Sequence, residues 1–492
     1  MRLGAAILLA AFLSGAAPAA TLRVCDDVRQ PESLNPYKVF SEKSLTVIQQ
    51  MLEGLVRFDA KGHIEPALAL RWKRIDAKTI RFHLRPRVLF HNGEPLDAET
   101  VKFSLEKYVA PETHYPGIGF VTFDHVVVVD SGTVDVVTKV PDGLLLNRLS
   151  LFGHIVPRKY YQQVGDEAFA RRPVGTGPFK FERWDNDRKI VLAANKDYWM
   201  PGYPKVDALE FYFLDIEEQI RRLLAGKLDI VTEVPGTDTL KIQMSQVARI
   251  VKTPSLYTVA GSFNTNSGPM RDERIRQALN YAIDKRELIR YDLLGNGTPI
   301  HTLTLKGHES VTVSTGMNTY DYDPVKARAL LKAAGIDGEL KISVLEVKGT
   351  RTAKIIAKQW KRVGVEAEVV STTDAMVKDD IKKRHWDVFL GGCPDPMYHS
   401  FFIQSIFLYS RSPYSLIQDA ELDHLIDQVV GETDPQEQSR RSGELAAYVN
   451  QKALTIYTYQ RFKTEGVARD VTFEPSISSM PYFRTCEVKH AS

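Results

Sequence analysis

The chain has 492 residues, and its 64 Lys and Arg against 61 Asp and Glu give a formal net charge of +3. Because a single hydrophobic core stops growing at roughly 250 to 300 residues, the length predicts two or three domains. The small charge, spread along the sequence, argues against a nucleic acid or another polyanion as partner.

Residues 1–20 have the pattern of a secretory signal peptide. Arg2 precedes an apolar run from Leu3 to Leu13, and small residues then lead to an Ala-x-Ala site that predicts cleavage after Ala19. The apolar run is shorter than the roughly 20 residues that a membrane span needs. No cysteine stands at the cleavage point, so no lipoprotein anchor is expected. The sequence therefore predicts a soluble monomer exported to the periplasm of a Gram-negative cell.

The three cysteines are too few for a fold that is stabilised mainly by disulfides. Cys25, Cys393 and Cys486 permit at most one disulfide within a molecule, and a buried free thiol is an equally good expectation for each. No Cys-x-x-Cys motif indicates redox or zinc chemistry.

The most informative stretch is the block from Ile64 to Ala98. Within it, residues 79–84 alternate apolar and polar side chains, which predicts a half-buried strand. Asn92-Gly93 favours a turn, because both residues tolerate left-handed backbone conformations. The block is therefore expected to form a hairpin and then a helix from about Asp97.

The same block resembles the signature region of extracellular solute-binding proteins of the peptide/nickel family, which deliver ligands to ABC importers. That region usually runs as Pro-Ala-Leu-Ala, a Trp, an alternating strand ending in Leu-Arg, and Phe-His-(Asp/Asn)-Gly-x-Pro-Leu-x-Ala. Further similarity to the family lies in Glu53-Gly54-Leu55-Val56 and in two later segments. The matching residues are Pro66 to Ala69, Trp72, Thr79 to Arg85, Phe90 to Gly93, Pro95, Leu96, Ala98, Gly175 to Phe179 and Asn195 to Trp199.

Two Val-rich segments, Val126–Val129 and Val134–Val140, follow the block and predict a second hairpin. From Phe263 onward the pattern alternates strands with helices. Its sharpest helix signal has Asp323 as N-cap, Pro at the first helical position and Gly335 just past the end. Residues 340–390 then predict a βαβαβ unit, whose strands are parallel.

The resemblance implies an α/β fold of the periplasmic-binding-protein type II class, with two lobes around a cleft and an extra third domain. The domains are expected to be discontinuous in sequence because short hinge segments cross between the lobes more than once. Domain I would take 21–58, 175–262 and 474–492, domain II 59–174, and domain III, the far lobe, 263–473.

The sequence gives no positive sign of catalysis. It has no Gly-x-Ser-x-Gly, His-Glu-x-x-His or phosphate-binding glycine motif, and its histidines are not spaced as metal ligands. We therefore expect no enzymatic activity, no cofactor and no metal. An enzyme on this fold remains an alternative and would need a nucleophile and a base that converge in the cleft. A chaperone-like binder of unfolded segments is a second alternative.

The first candidate for a ligand site is the loop from Gly391 to Phe402. In peptide-binding relatives this loop has Gly-Trp followed by an acidic residue; here Gly392 stands at the Trp position, which sets ordinary peptide recognition in question. Asp395 is the leading candidate to hold a ligand ammonium or guanidinium, although an Asx turn before Pro396 explains it equally well. Nearby ring-bearing candidates are Tyr398, His399 and Phe402.

The resemblance places two further walls at the hinge crossings and after the first strand. Asn264 is expected to have a structural role at its crossing, whereas the two tyrosines are expected to line the cleft. For the loop after the first strand, a solvated turn is the competing interpretation. The candidate ligand contacts are Tyr257, Asn264, Tyr459, Asp27 and Arg29.

These features together predict a periplasmic substrate-binding component of an ABC importer. It would close around a small solute by hinge motion and deliver it to a permease and ATPase complex at the inner membrane. A short peptide or a modified amino-acid derivative is the first expectation for the ligand. A nickel or other metal chelate and an oligosaccharide are the alternatives.

Overall fold

A computed structural model describes residues 20–27, 29–113, 115, 119–185, 188–308, 316–347, 351–383 and 385–489. The predicted signal peptide, residues 1–19, lies outside the described residues, as does the side chain of Asp27. None of the helices within the described ranges combines the length and the apolar character that a membrane crossing requires.

The first part of the chain is rich in strands. Its elements are β1 (Thr21–Asp27), α1 (Glu42–Ile48), β2 (Val56–Phe58), β3 (Ile64–Pro66), β4 (Ala69–Arg74), β5 (Thr79–Leu84), α2 (Ala98–Lys107), β6 (Phe123–Asp130) and β7 (Thr133–Thr138). Strands β4, β5, β7 and β6 form an antiparallel sheet in that order. The predicted strand and the second hairpin are confirmed, with β7 ending two residues early.

The helix predicted from Asp97 is also confirmed. The Asp97 side chain accepts a hydrogen bond from the Thr100 N–H at 2.7 Å and so caps α2. The hairpin predicted within the signature block is smaller than expected. Gly93 adopts φ 86°, but the turn closes only one bridge, between Leu89 and Pro95, because β5 pairs instead with β4 and β7.

The middle of the chain contributes strands to a larger sheet. Its elements are α3 (Leu145–Phe152), α4 (Arg158–Arg171), β8 (Phe179–Asp185), β9 (Lys189–Ala194), β10 (Ala208–Phe213), α5 (Ile216–Leu224), β11 (Ile230–Val231), α6 (Gly236–Gln243) and β12 (Ala248–Phe263). Strand β1 lies parallel to both β10 and β11.

The last part alternates helices and strands. Its elements are a 3₁₀ turn (Pro269–Arg271), α7 (Glu273–Tyr281), α8 (Lys285–Asp292), β13 (Gly297–Pro299), α9 (Pro324–Ala333), β14 (Leu340–Val347), α10 (Thr352–Lys361), β15 (Val365–Thr372), α11 (Val377–Lys383), β16 (Val388–Pro394), α12 (Phe401–Phe407), α13 (Ala420–Gly431), α14 (Pro435–Gln451), β17 (Tyr459–Ala468), β18 (Val471–Thr472) and β19 (Glu487–Val488).

Both sequence signals for this region are confirmed. Asp323 caps α9, accepting from the Lys326 N–H at 2.8 Å, and Gly335 has φ 84°. Strands β14, β15 and β16 are parallel, as the alternating pattern predicts. Strand β16 runs to Pro394, however, so the first four residues of the predicted ligand loop belong to a strand.

One strand ties the two halves of the large sheet together. The sheet runs β15-β14-β16-β12-β17-β11-β1-β10-β9-β8. Strand β12 pairs with β17 over its first half and again at Thr258, after an irregularity between Pro254 and Thr258, and its second half also pairs with β16 on the other edge. Proline has no N–H to give to a ladder, so a break at this point is physically reasonable.

The apolar side chains form more than one core. One lies within residues 259–459 and surrounds Trp360, whose indole N–H donates to the Leu279 carbonyl at 2.9 Å. A larger core contains the side chains of β5, α2 and α3 and those around β1, and it continues into α12, α13 and α14. This larger core therefore joins the first part of the chain to the last.

Candidate functional site

A cavity of about 600 Å³ lies beside the irregularity in β12. The segment after β1, the start of α1, strand β12 and strand β17 all contribute to its wall. Its charged wall residues carry both signs, and charged side chains that line an enclosed space need partners there. They are Asp26, Arg29, Glu42, Lys43, Glu233, Arg461 and Lys463.

The acidic group that stands out is Glu42, in the first turn of α1. Burial raises the pKa of this carboxyl to about 7; a hydrogen bond from the Ser479 hydroxyl acts in the opposite direction, and the nearby Glu233 and Asp26 raise the pKa further. Among the described residues, no ion pair involves Glu42. The nearby Lys463 acts to lower the pKa, but the net shift is upward, so the cavity contains a carboxyl group whose charged form is disfavoured.

Cationic groups lie on the β17 side of the same cavity. Arg461 pairs with Glu233 at 2.7 Å, and its guanidinium carbon lies 4.1 Å from the ring centre of Tyr257. The Nε–H of Arg461 is buried and has no hydrogen-bond partner among the described residues. Lys463 is neutralised by the buried Glu465, 2.9 Å away.

Tyr257 reaches the cavity because its neighbour on β16 has no side chain. A Cβ built on Gly392 would lie 1.9 Å from the Tyr257 hydroxyl oxygen, so any larger residue would displace the ring. Burial raises the pKa of Tyr257 to about 12, although the nearby Arg461 acts to lower it. The phenol therefore stays neutral and can donate a hydrogen bond at ordinary pH.

A second cavity, of about 330 Å³, adjoins the first. The two cavities share Glu42 and Pro394 as wall residues. Phe402 contributes to the wall of the second cavity, together with other aromatic and aliphatic side chains.

Of the residues singled out in the sequence, three line these cavities. Tyr257 and Arg29 lie in the wall of the 600 Å³ cavity and Phe402 in that of the 330 Å³ cavity. The other predicted contacts with described side chains line neither: Asp395, Tyr398, His399, Asn264 and Tyr459.

Asp395 is engaged within the protein. Its Oδ2 lies 2.8 Å from Nε2 of His308, and both side chains are fully buried. His308 Nδ1 accepts the Leu305 N–H at 3.0 Å, so the ring proton sits on Nε2 and faces the carboxylate. Asp395 Oδ1 accepts the Met397 N–H at 2.8 Å, which is the Asx turn weighed above. Burial raises the pKa of Asp395, and His308 opposes that effect.

Tyr398 and His399 also pack inside the protein. The Tyr398 ring covers Gly62, where a Cβ would lie 2.1 Å from it, and the hydroxyl lies 3.1 Å from Ser476 Oγ. His399 Nδ1 accepts the Phe401 N–H at 3.1 Å, and burial lowers the pKa of His399 to about 3. Neither ring is therefore placed to meet a ligand in the described cavities.

The two remaining candidates hold backbone and side chains at the crossing. The Asn264 amide donates to the Trp386 carbonyl at 2.9 Å, the structural role expected for it. The Tyr459 hydroxyl donates to Asp292 at 2.7 Å. All three cysteines are buried, and no disulfide joins any two of them in the described part of the chain. Within the described ranges, no group of His, Cys, Asp and Glu side chains is arranged to hold a metal ion.

Comparison with known proteins identifies the class to which these features belong. The sequence model of the bacterial extracellular solute-binding proteins, family 5 Middle, matches residues 63–415. The chain belongs to this family and is a solute-binding protein of the ABC-importer class. The family resemblance and the type II fold are thereby confirmed.

Three similar proteins show how far the likeness extends. The dipeptide-binding protein of Escherichia coli strain K12 is 25% identical over 442 residues, covering 80% of this chain and 81% of that protein. The probable deoxycholate-binding periplasmic protein YgiS of the same strain is 27% identical over 470 residues, covering 87% and 86%. The structure of HbpA2 from Haemophilus parasuis superposes with a TM-score of 0.84 at 22% identity, covering 95% and 100%.

Proposed function

We propose that the 600 Å³ cavity binds a short peptide or a modified amino-acid derivative, which the protein carries to a membrane permease. The observation behind this proposal is the presence, in one cavity, of a carboxyl at Glu42 without an ion-pair partner among the described residues and a buried guanidinium donor at Arg461. A zwitterionic ligand offers an ammonium to the first and a carboxylate to the second.

The electrostatics favour such a ligand over a neutral one. The raised pKa of Glu42 reflects the free-energy cost of keeping its carboxylate charged in the cavity, where it has no ion-pair partner among the described residues. A ligand ammonium would relieve that penalty through a charge-assisted hydrogen bond, the stronger class of hydrogen bond in proteins. Arg461 is already held by Glu233 and Tyr257, so its free Nε–H is oriented before a ligand arrives.

Relatives alone do not select the ligand. Their names include a dipeptide-binding protein and a probable deoxycholate-binding one, so the assignment rests on the charges in this cavity. No histidine lines either cavity in the described part of the chain. As a separate part of the proposal, we assign the protein no catalytic role.

The remaining features complete the proposal. Residues 1–19 direct export and are removed, and the mature, soluble protein works in the periplasm with an ABC permease and ATPase. The domain division is 21–58 with 175–262 and 474–492, then 59–174, then 263–473. A core of its own within residues 259–459 supports the far lobe, and the irregularity in β12 supports a hinge beside the cavity.

The proposal is tested with the mature chain and matched dipeptides. Each dipeptide is offered in four forms: unmodified, with an acetylated N-terminus, with an amidated C-terminus, and with both ends blocked. Unmodified dipeptides should raise the melting temperature, because a ligand at 100 times its dissociation constant adds about 2.7 kcal/mol to stability. Acetylation should abolish the effect and amidation should weaken it. Equal stabilisation by all four forms would contradict the proposal.

Closure is measured separately by small-angle scattering. A saturating ligand identified in the first experiment should reduce the radius of gyration, because domain closure makes the molecule more compact. An unchanged radius with a tight ligand would refute hinge closure and leave the binding assignment intact.

A further inference from the structure

The 330 Å³ cavity differs chemically from the one that holds the charges. Its wall is mainly aromatic and aliphatic, and the residues that matter here are Phe152, Phe389, Cys393, Phe402 and Phe407. Among the described wall residues, Glu42 and Asp374 are the charged ones, and Glu42 stands where the two cavities meet. The apolar cavity therefore begins beside the carboxylate proposed to hold an ammonium.

The apolar cavity exists because of one glycine in β16. Alternation along a strand places Phe389, Gly391 and Cys393 on the same face. Gly391 leaves a notch between its two larger neighbours. A Cβ built there would meet nothing closer than 3.5 Å, at ring carbons of Phe389 and Phe407. A larger side chain at this position would thus extend along these two rings and occupy part of the cavity.

Gly391 and Gly392 consequently act on opposite faces of the strand. The absent side chain of Gly392 lets Tyr257 enter the charged cavity, and the absent side chain of Gly391 leaves the apolar one open. Gly392, at the position predicted to correspond to the Trp of peptide-binding relatives, thus leaves room for Tyr257, and its neighbour Gly391 borders the apolar cavity.

We propose that the two cavities bind one ligand, an amino acid or short peptide whose first residue has a large apolar side chain. This proposal rests on the proposed function. The ammonium binds Glu42, the carboxylate faces Arg461, and the side chain next to the ammonium enters the apolar cavity. Since the ammonium and that side chain share one carbon atom, Glu42 at the junction of the cavities sets the required geometry.

The expected preference is large enough to measure. Each buried methylene contributes roughly fourfold to affinity. A first residue such as Leu should therefore bind at least about tenfold more tightly than Gly, even when only part of its side chain is buried.

The experiment compares Gly-Gly, Ala-Gly, Leu-Gly and Phe-Gly with the reversed peptides Gly-Leu and Gly-Phe by calorimetry on the mature chain. Affinity should rise with the size of the first side chain, and the reversed peptides should bind like Gly-Gly. If all six peptides bind with similar affinity, the proposal that the apolar cavity holds the first side chain is overturned, and the proposed function is not. Binding of none would overturn the proposed function as well.

A substitution in the wall of the apolar cavity tests whether this cavity causes the preference for a large first side chain. Gly391→Leu should remove most of the advantage of Leu-Gly over Gly-Gly. Gly338→Leu is the matched control, because a Cβ at this exposed glycine has nothing within 4 Å. Retention of the full preference in a folded Gly391→Leu protein would refute the assignment. The peptide series on the unmodified chain decides the proposal even where this variant fails to fold.

Discussion

Replacement of Glu42 by Gln separates the contribution of this residue to binding from its contribution to stability. The Gln side chain keeps an oxygen to accept the Ser479 hydrogen bond and removes the charge. If Glu42 holds a ligand ammonium, the variant should bind unmodified peptides about 10- to 100-fold more weakly, the range for a hydrogen bond to a charged group. The ligand-free variant should nevertheless be more stable than the original protein.

The magnitude follows from the raised pKa. A shift from 4.5 to about 7, at about 1.4 kcal/mol per unit, corresponds to at most about 3 kcal/mol. Between these pH values the folded carboxyl holds a proton that the unfolded one has lost, so the free energy of unfolding falls as pH rises from 4.5 to about 7 and is level above that. The stability gained by Glu42→Gln should grow over the same window.

The assay is thermal unfolding from pH 4.5 to 8.5, with peptide binding measured across the same range. The melting-temperature difference should be near zero at the acidic end and a few degrees above pH 7. Affinity of the original protein for unmodified peptides should drop about tenfold per pH unit below the pKa of Glu42, because the protonated carboxyl does not pair with an ammonium. Constant affinity across the window, or a variant that is less stable at pH 8, would refute the reasoning.

A second carboxyl on the same segment provides a control of opposite sign. Although burial acts to raise the pKa of Glu32, hydrogen bonds from Lys43, Ser41 and Ser44 together lower it to about 2. Its contribution to stability is present above the unfolded pKa and is lost as pH falls toward 2. Glu32→Gln should therefore lower the melting temperature at pH 7, where Glu42→Gln raises it.

Three further outcomes are expected. Asp395→Asn, which breaks the buried pair with His308, should lower the free energy of unfolding by about 3 kcal/mol in denaturant titrations and leave peptide affinity unchanged; a loss of affinity at full stability would restore Asp395 as a ligand contact. Gly392→Ala should weaken peptide binding at least about tenfold in calorimetry, because its Cβ must displace Tyr257; unchanged affinity would exclude Tyr257 from the site. Thiol titration should find all three cysteines unreactive in the folded protein and reactive in denaturant; fewer than three after unfolding without reductant would indicate a disulfide.

Much of the fold could be predicted because its signals are local. The helix from Asp323 to Gly335 carries its own cap, first-turn proline and terminating glycine, and all three depend only on neighbouring residues. Strands β14 to β16 were recognisable from the alternation of apolar segments with helices, since parallel strands require such crossovers. The family resemblance supplied the arrangement of the lobes, which no local pattern encodes.

The site was harder to predict because its contacts are long-range. Asp395 looked available in the sequence, yet His308 lies beside it in the folded chain. Glu42 was missed because nothing near it in sequence shows that it faces a cavity; its hydrogen-bond partner, Ser479, is 437 residues away. In the sequence, Glu42 shows only the features of a residue at the start of a helix, and those features describe local structure, not exposure to a ligand.

The irregularity within β12 has a mechanical consequence. Strands β12 and β17 are adjacent and together form a two-stranded strip that can bend between the halves of the large sheet. Such a strip flexes out of its own plane by small torsional changes spread over several residues. Sliding one strand along the other is resisted, because the rungs that join them would have to break simultaneously. If closure proceeds by bending of this strip, its pivot should lie beside Pro254, next to the 600 Å³ cavity.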